Sequence, residues 1–216
     1  MILAIDGPAG AGKSTVAKEL ARLLGLTFLD TGAMYRAVTW AALERGVDPH
    51  DEAACAAVAR SLRLDFDAEG RIRIDGRAGE PAIRSEAVTA AVSHVSAHPA
   101  VRRVIVPMQR EEARRRGGVV AEGRDVGSVV FPAADFKFYL DASPEVRAER
   151  RAKEVGRPDR YGEFLLAMRE RDRLDMTRAD SPLVRAEDAI LVEADGLDVA
   201  GVVKVMLGRV KARARA

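Results

Sequence analysis

The feature that most constrains this chain is a glycine-rich run near its start, Gly7-Pro8-Ala9-Gly10-Ala11-Gly12-Lys13-Ser14, which matches G-x-x-x-x-G-K-[ST]. A short apolar run at 2–5 precedes it, and a helical pattern from Lys13 to about Leu24 follows. In such a strand–loop–helix unit the glycines let backbone N–H groups turn around a phosphate, and the helix N-terminus adds positive potential. The motif therefore predicts a site for a nucleoside triphosphate.

Within this loop, two side chains carry the expected chemistry. Lys13 can reach the β- and γ-phosphates, and the hydroxyl of Ser14 can ligate Mg²⁺. A glycine-rich turn without a ligand is the alternative, and the Lys-Ser pair in register before a helix weighs against it. We therefore assign the ATP phosphates to Gly7, Pro8, Ala9, Gly10, Ala11, Gly12, Lys13, Ser14 and Thr15.

The rest of the chain alternates short apolar runs with helical patterns. Further strands are predicted at 27–29, 119–121, 136–140 and 190–192, and a helix at 32–45. Strands that alternate with helices indicate a parallel sheet. We expect an α/β fold: a five-stranded parallel sheet with helices on both faces.

One segment interrupts this alternation. Residues 62–92 contain alternating apolar and polar residues around a glycine turn, which predicts a small antiparallel hairpin followed by a helix from about Ser85. A long helical stretch at 98–116 contains Pro107, which predicts a kink or break. The expected organisation is a single domain, 1–216, with its core at 1–60, 98–146 and 179–216, a mixed nucleotide-binding insertion at about 61–97 and a short lid at about 147–178.

Composition excludes several classes of protein. The 35 basic and 33 acidic residues nearly balance, which argues against general nucleic-acid binding, and a single Cys excludes a disulfide framework. No stretch of 18 apolar residues is present, so no membrane span is predicted. We expect a cytoplasmic monomer that acts on small molecules and has no nucleic-acid or membrane partners. The basic tail, KARARA, is expected to fray.

Arginine is unusually frequent and unevenly placed. Of the 35 basic residues, 29 are Arg and 6 are Lys, and nine of the Arg lie between Arg147 and Arg178. Coding bias is an alternative explanation of the total, and each single Arg could belong to a solvated helix face. A cluster around a lid instead favours a small kinase, because a transferring phosphoryl group needs converging positive charge. Arg171 and Arg178 are seven residues apart, which predicts that they share one helical face.

Four stretches identify a more specific resemblance: IDGPAGAGKST, FLDTGAMYRA, EGRDVGSVVFP and RERDRLDMTRADSPL, in this order. Together they resemble the bacterial cytidylate kinase family (CMP/dCMP kinases), and the resemblance spans essentially the whole chain, including the insertion. The first stretch is shared by many families, whereas the others are far more specific. The resemblance implies phosphoryl transfer from ATP–Mg²⁺ to CMP or dCMP.

The resemblance also implies roles for individual residues. The acceptor phosphate would be held by Arg36, Arg124, Arg171 and Arg178. The cytosine base would be recognised by Ser93, Arg102 and Asp125, the carboxylate of Asp125 accepting from the exocyclic amine that uracil lacks. Thr31 would lie beside the acceptor, Asp175 would contact its sugar, and Arg150 would approach the donor phosphates. The expected catalytic residues are Lys13, Arg150, Arg171 and Arg178.

Other interpretations of single residues remain open. Asp30 is expected to cap the helix that follows it, and Asp125 could simply form a salt bridge with Arg124 or Arg102. Glu122 stands where other family members carry Asp, and we expect it to support the metal site indirectly. The rival functions are another small kinase, acting on UMP, AMP or a non-nucleotide acceptor, and a nucleotide sensor without turnover. An RNA-binding protein is disfavoured, because aromatic residues are only 5%.

Overall fold

The computed structural model describes residues 1–213 and contains a central parallel sheet with helices on both faces. Its strands, in chain order with those of a second, small sheet, are β1 (Ile2–Asp6), β2 (Thr27–Asp30), β3 (Leu64–Phe66), β4 (Ile72–Ile74), β5 (Arg77–Ala78), β6 (Val119–Gly123), β7 (Phe136–Asp141) and β8 (Ile190–Glu193). The helices are α1 (Lys13–Leu24), α2 (Thr31–Glu44), α3 (Glu52–Ser61), α4 (Glu86–Ala97), α5 (Pro99–Arg116), α6 (Pro144–Glu154), α7 (Tyr161–Thr177) and α8 (Val199–Arg213).

The central sheet has five parallel strands in the order β2-β6-β1-β7-β8, which confirms the predicted fold class. Because side chains alternate along a strand, neighbouring residues of β1 enter opposite cores. Leu3 and Ile5 pack with apolar residues of α1 and α8, whereas Ala4 packs with α2, α3 and α5. Both faces are therefore covered, which explains why the strands are continuous apolar runs.

The strand order places several loops at one edge of the sheet. The carboxyl ends of β1, β2 and β6 are adjacent, since Glu122 is in register with both Ile5 and Asp30. In open α/β sheets, ligands bind at such an edge. The glycine loop after β1, the start of α2 after β2 and the turn after β6 all meet there.

The insertion forms the expected hairpin and one additional strand. Strands β3 and β4 pair antiparallel, and the two-residue β5 extends the sheet. A 3₁₀ turn at Ala82–Arg84 leads into α4, where the hydroxyl of Ser85 caps the helix by accepting from the N–H of Val88 at 3.4 Å. The predicted start of this helix is thus confirmed.

Of the kink or break expected at Pro107, the break is absent, because α5 continues through this residue. Pro107 lies on an exposed face, one turn after the exposed Arg103. A carbonyl that loses its helical partner there remains accessible to water, so the missing N–H costs little.

The lid segment consists of α6, a 3₁₀ turn at Pro158–Arg160 and α7. Helix α7 ends at Thr177, and Arg178 follows it with extended backbone, φ −63° and ψ 141°. The expectation that Arg171 and Arg178 share a helical face is therefore wrong, because the helix stops before the second residue.

The last helix, α8, includes the first residues of the basic tail as far as Arg213. The remainder of the tail, for which fraying was expected, lies outside the described residues. Across residues 1–213, none of the helices combines the length and the apolar character that crossing a bilayer requires.

Candidate active site

The glycine loop runs from the end of β1 to the start of α1. Gly7 has φ 149°, and a Cβ atom there would lie 2.0 Å from the carbonyl oxygen of Leu140 on β7, so only glycine fits. Gly12 takes the left-handed conformation immediately before α1, φ 94°. Within the described chain no side chain caps this helix, and its first turn carries no acid. Its N–H groups are therefore suited to bind an anion.

Lys13, the first residue of α1, is buried under the loop. Only 5% of it is exposed, and Nζ donates a hydrogen bond of 2.7 Å to the carbonyl oxygen of Pro8. Burial, together with the positive charge of Arg124, lowers the pKa of Lys13 to about 7. A bound polyanion would favour its charged form.

Ser14 is joined to the end of β6. Its hydroxyl donates to Oε1 of Glu122, and the main-chain carbonyl of Glu122 accepts a bond of 2.7 Å from the hydroxyl of Thr31. Glu122 is buried, and burial together with the nearby negative charge of Asp30 raises its pKa. Glu122 thus contacts Ser14 directly, and its predicted indirect role at a metal site stays a prediction.

These residues fit a magnesium ion held mainly by phosphates. Mg²⁺ in kinase sites is bound by one or two protein oxygens, substrate phosphates and water. The hydroxyl of Ser14, with the carboxylate of Glu122 behind it, is a donor set of this kind. Among the described residues, no group of three or more His, Cys, Asp or Glu side chains could hold a metal ion without a ligand.

Arg124 and Arg171 lie near Lys13, and Arg36 lies near both of these arginines. We call Lys13, Arg36, Arg124 and Arg171 the cationic cluster. Burial and neighbouring positive charges lower the pKa of Arg36 and of Arg171, each to about 10. The charge of Arg84 contributes most after burial for Arg36, and that of Arg124 for Arg171. Nε of Arg171 is buried and has no hydrogen-bond partner among the described residues. The mutual repulsion of these cations would be relieved by a bound phosphate.

Arg124 is oriented by Asp175 of α7. Its Nε donates a bond of 2.8 Å to Oδ2 of Asp175, while Oδ1 of Asp175 lies 3.5 Å from the hydroxyl of Ser93 on α4. The structure therefore brings together residues predicted for the acceptor phosphate, its sugar and its base.

A second buried group contains the residues predicted to recognise the base. Arg102 forms an ion pair with Asp125, and Nη2 of Arg178 lies 3.3 Å from the other oxygen of Asp125. The alternative of a salt bridge between Asp125 and Arg102 is thus observed. Arg178 lies with this group, although it was predicted to bind the acceptor phosphate.

Several members of this group were not predicted from the sequence. The hydroxyl of Ser181 accepts a hydrogen bond of 3.1 Å from Nε of Arg102, and the carbonyl oxygen of Ser181 accepts one of 2.6 Å from Nε of Arg178. The buried ring of Tyr35 packs against the guanidinium of Arg102, and the distance from Cζ of Arg102 to the centroid of the ring is 5.4 Å. Tyr35 lies within TGAMYR and Ser181 within ADSPL. The sequence therefore identified the motifs that contain these residues but not the role of either residue.

Most of the arginines between Arg147 and Arg178 face solvent, in agreement with the alternative that each belongs to a solvated helix face. Five form exposed ion pairs with acids on the same or the neighbouring helix: Arg151, Arg157, Arg160, Arg169 and Arg173. Arg150 instead contacts the glycine loop, where it donates a hydrogen bond of 3.4 Å to the carbonyl oxygen of Ala11. It donates a second one, of 2.8 Å, to the carbonyl oxygen of Ala194, after β8. Its predicted approach to the donor phosphates stays a prediction.

A phosphate-binding glycine loop that faces converging arginines at the edge of a parallel sheet defines the class, a P-loop kinase. The sequence model of the family described as cytidylate kinase matches residues 3–212. The chain belongs to the cytidylate kinase family.

Individual relatives agree. A cytidylate kinase from Pelotomaculum thermopropionicum is 48% identical, over 99% of this chain and 97% of its own. A bifunctional pantoate ligase/cytidylate kinase from Synechococcus sp. (strain WH7803) is 46% identical, over 95% of this chain and 43% of its own. The chain therefore spans less than half the length of this relative. The solved structure of TT1252 from Thermus thermophilus, 21% identical, has a TM-score of 0.50 over 99% of this chain and 97% of its own, and supports the fold alone.

Proposed function

We propose that this chain transfers the γ-phosphoryl group of ATP directly to CMP or dCMP, giving ADP and CDP or dCDP. Family membership supports the proposal, and so does the observation that carries it: the cationic cluster lies directly beside the buried group around Asp125. Arg124 and Asp125 are consecutive at the end of β6, so one nucleotide could place its phosphate on the first and its base beside the second.

The donor side uses the glycine loop. Its N–H groups and the N-terminus of α1 bind the phosphates of ATP, and Lys13 adds a positive charge at the β/γ position. The hydroxyl of Ser14 would help to hold the Mg²⁺ that accompanies ATP, which would supply further charge neutralisation. Glu122 orients that hydroxyl through its hydrogen bond.

The acceptor side uses the other cations. Arg36, Arg124 and Arg171 bind the monophosphate, and Asp175 contacts the sugar while it holds Arg124 in place. Aligning the two phosphates and neutralising the charge that develops between them accelerates transfer without a covalent intermediate. The division into core, insertion and lid belongs to this proposal, since α4 and α7 each supply acceptor-side residues.

Base selection follows from Asp125. An ionised carboxylate offers about four lone-pair positions, of which Arg102 and Arg178 use two. The remaining positions can accept from the exocyclic amine of cytosine, whereas the carbonyl of uracil would face a carboxylate without a shared proton. A polar site of this kind discriminates strongly, because the wrong base leaves buried groups unpaired.

An acceptor panel tests the proposal. ADP release from ATP–Mg²⁺ is followed with CMP, dCMP, UMP and AMP as acceptors, with a Lys13→Met variant as the inactive reference. CMP and dCMP should support turnover, and UMP and AMP should support far less. Equal rates with UMP would refute the proposed base selection, and no CMP-dependent ADP release would refute the kinase activity.

A further inference from the structure

Arg147, on α6, was not assigned to the site, and its side chain is almost fully buried, with 2% exposed. Its guanidinium makes four hydrogen bonds, all within the protein. Nε donates 2.8 Å to the carbonyl of Ala142, and Nη1 donates 3.0 Å to the carbonyl of Ala9 in the glycine loop. The remaining two bonds, 3.1 Å and 2.5 Å, go to the two carboxylate oxygens of Asp172 on α7. One side chain therefore joins the glycine loop to both lid helices.

Packing at Gly10 closes the same junction. A Cβ atom on Gly10 would lie 3.3 Å from Cβ of Arg147 and 3.1 Å from Cε of Met168 on α7. The glycine loop thus packs directly against both helices at this point. A change in the position of α7 here would be transmitted to the loop that holds the donor phosphates.

The partner of Arg147 adjoins a residue assigned to catalysis. Asp172 directly follows Arg171 on α7, and Arg171 has no ion pair or side-chain hydrogen bond of its own among the described residues that would fix its position. The other ion pair between α6 and α7, Arg169 with Glu145, is half exposed and does not contact the loop. The buried pair is therefore the polar contact that relates Arg171 to the loop, beside the packing of Met168 against Gly10.

We propose that Arg147 is a positioning residue, which sets Arg171 relative to the donor phosphates through Asp172 and the carbonyl of Ala9. The proposal rests on the proposed function, because it assigns Arg171 to phosphoryl transfer. A misplacement of about 1 Å can cost about 100-fold in rate, even from a residue outside the reacting groups. Arg147 would thus affect kcat without touching either substrate.

The test replaces both members of the buried pair. Arg147→Met alone would leave Asp172 buried and unpaired, which destabilises the fold, whereas replacing both charges by apolar groups is often neutral. The variant Arg147→Met/Asp172→Leu should keep its melting temperature within about 3 °C and lose about 100-fold in kcat, with KM for ATP changed less than about 3-fold. The matched control, Arg169→Met/Glu145→Leu, removes the exposed pair between the same helices and should keep kcat within about 2-fold.

A cycle with Arg171→Ala separates positioning from a general structural effect. If the buried pair acts through Arg171, replacing Arg147 and Asp172 in the Arg171→Ala background should lower kcat by less than about 3-fold. Effects of residues that act as a unit are not additive. A full additional 100-fold loss, or wild-type kcat in the double variant, would overturn the proposal. Should the double variant not fold, Arg147→Lys enters the same cycle with the same expectations.

A readout without turnover distinguishes this inference from the proposed function. Without any nucleotide, amide hydrogen exchange at residues 8–14 and 165–175 should be faster in the double variant than in the wild type and the control. Unchanged exchange in both segments would contradict the inference. Absence of CMP-dependent turnover in the wild-type protein would contradict the proposed function alone.

Discussion

Nε of Arg124 lies 2.8 Å from Oδ2 of Asp175, so the end of strand β6 is tied to helix α7. The second oxygen of the same carboxylate lies 3.5 Å from the hydroxyl of Ser93 on α4. Burial acts to raise the pKa of Asp175, but the charges of Arg124 and Arg171 outweigh it, and the pKa is lowered. Asp175 is therefore ionised at neutral pH and joins the end of β6, α4 and α7.

Removing this carboxylate should destabilise the protein. Asp175→Ala leaves the partly buried Arg124 without its carboxylate partner, and we expect the free energy of unfolding to fall by about 2 kcal/mol. Asp175→Asn, which can still accept a hydrogen bond, should lose less. Urea unfolding measures both. Asp159→Ala, which removes an exposed pair with Arg157, should change the free energy of unfolding far less than Asp175→Ala does. Equal effects of the two alanine variants would contradict this assignment.

The base preference should depend on Asp125. Asp125→Ala is expected to lower the ratio of kcat/KM for CMP over UMP by about 10–100-fold, because the acceptor for the cytosine amine is lost. Arg171→Ala should lower turnover with either acceptor and leave the ratio unchanged. Steady-state kinetics with both nucleotides decides this, and an unchanged ratio in the Asp125 variant would refute its role in base recognition.

The metal requirement should depend on Ser14. Ser14→Ala removes the hydroxyl proposed to ligate Mg²⁺, and the Mg²⁺ concentration for half-maximal rate should rise by about 10-fold. Ser61→Ala, which changes an exposed serine at the end of α3, is the matched control and should leave the Mg²⁺ titration unchanged. If both variants titrate like the wild type, Ser14 does not bind the metal.

Asp6 should make stability depend on pH. Burial raises its pKa from 3.8 to about 6, although its oxygens accept bonds of 2.7 Å from the N–H groups of Val126 and Gly127. A carboxyl whose folded pKa is raised contributes stability that is fully present below the unfolded pKa and lost as pH rises through the folded one. Relative to Asp6→Asn, the wild type should therefore lose up to about 3 kcal/mol of unfolding free energy between pH 3.5 and pH 7. Urea unfolding across this pH range measures both proteins. If the free energies of unfolding of the wild type and Asp6→Asn changed in parallel with pH, the raised pKa of Asp6 would be contradicted.

The elements of the fold could be predicted because local patterns determine them. The strand–loop–helix unit at Lys13 and the hairpin within 62–92 follow from apolar periodicity and turn residues, which act over a few positions. The cap at Asp30 was equally local: its Oδ1 accepts 2.9 Å from the N–H of Ala33. Pro107 was misjudged because its cost depends on whether the freed carbonyl faces water, which sequence does not show.

The site could be predicted only as far as its motifs extend. The sequence offered Arg124 and Arg102 as alternative salt-bridge partners of Asp125 but did not choose between them, because residues 23 positions apart meet only after the sheet has formed. Likewise, nothing in the sequence distinguished Arg147, which is buried on Asp172, from Arg151, which pairs with Glu154 in solvent. Residue type and spacing were alike, and burial decided their roles.

The most direct test of the central claim follows the transferred group itself. Purified protein is incubated with ATP labelled at its γ-phosphate, Mg²⁺ and either CMP or UMP, and the labelled products are separated by chromatography. Our account predicts that label appears in CDP, only when CMP is present, with far less transferred to UMP. Label found only in inorganic phosphate, or transferred equally to both nucleotides, would contradict it.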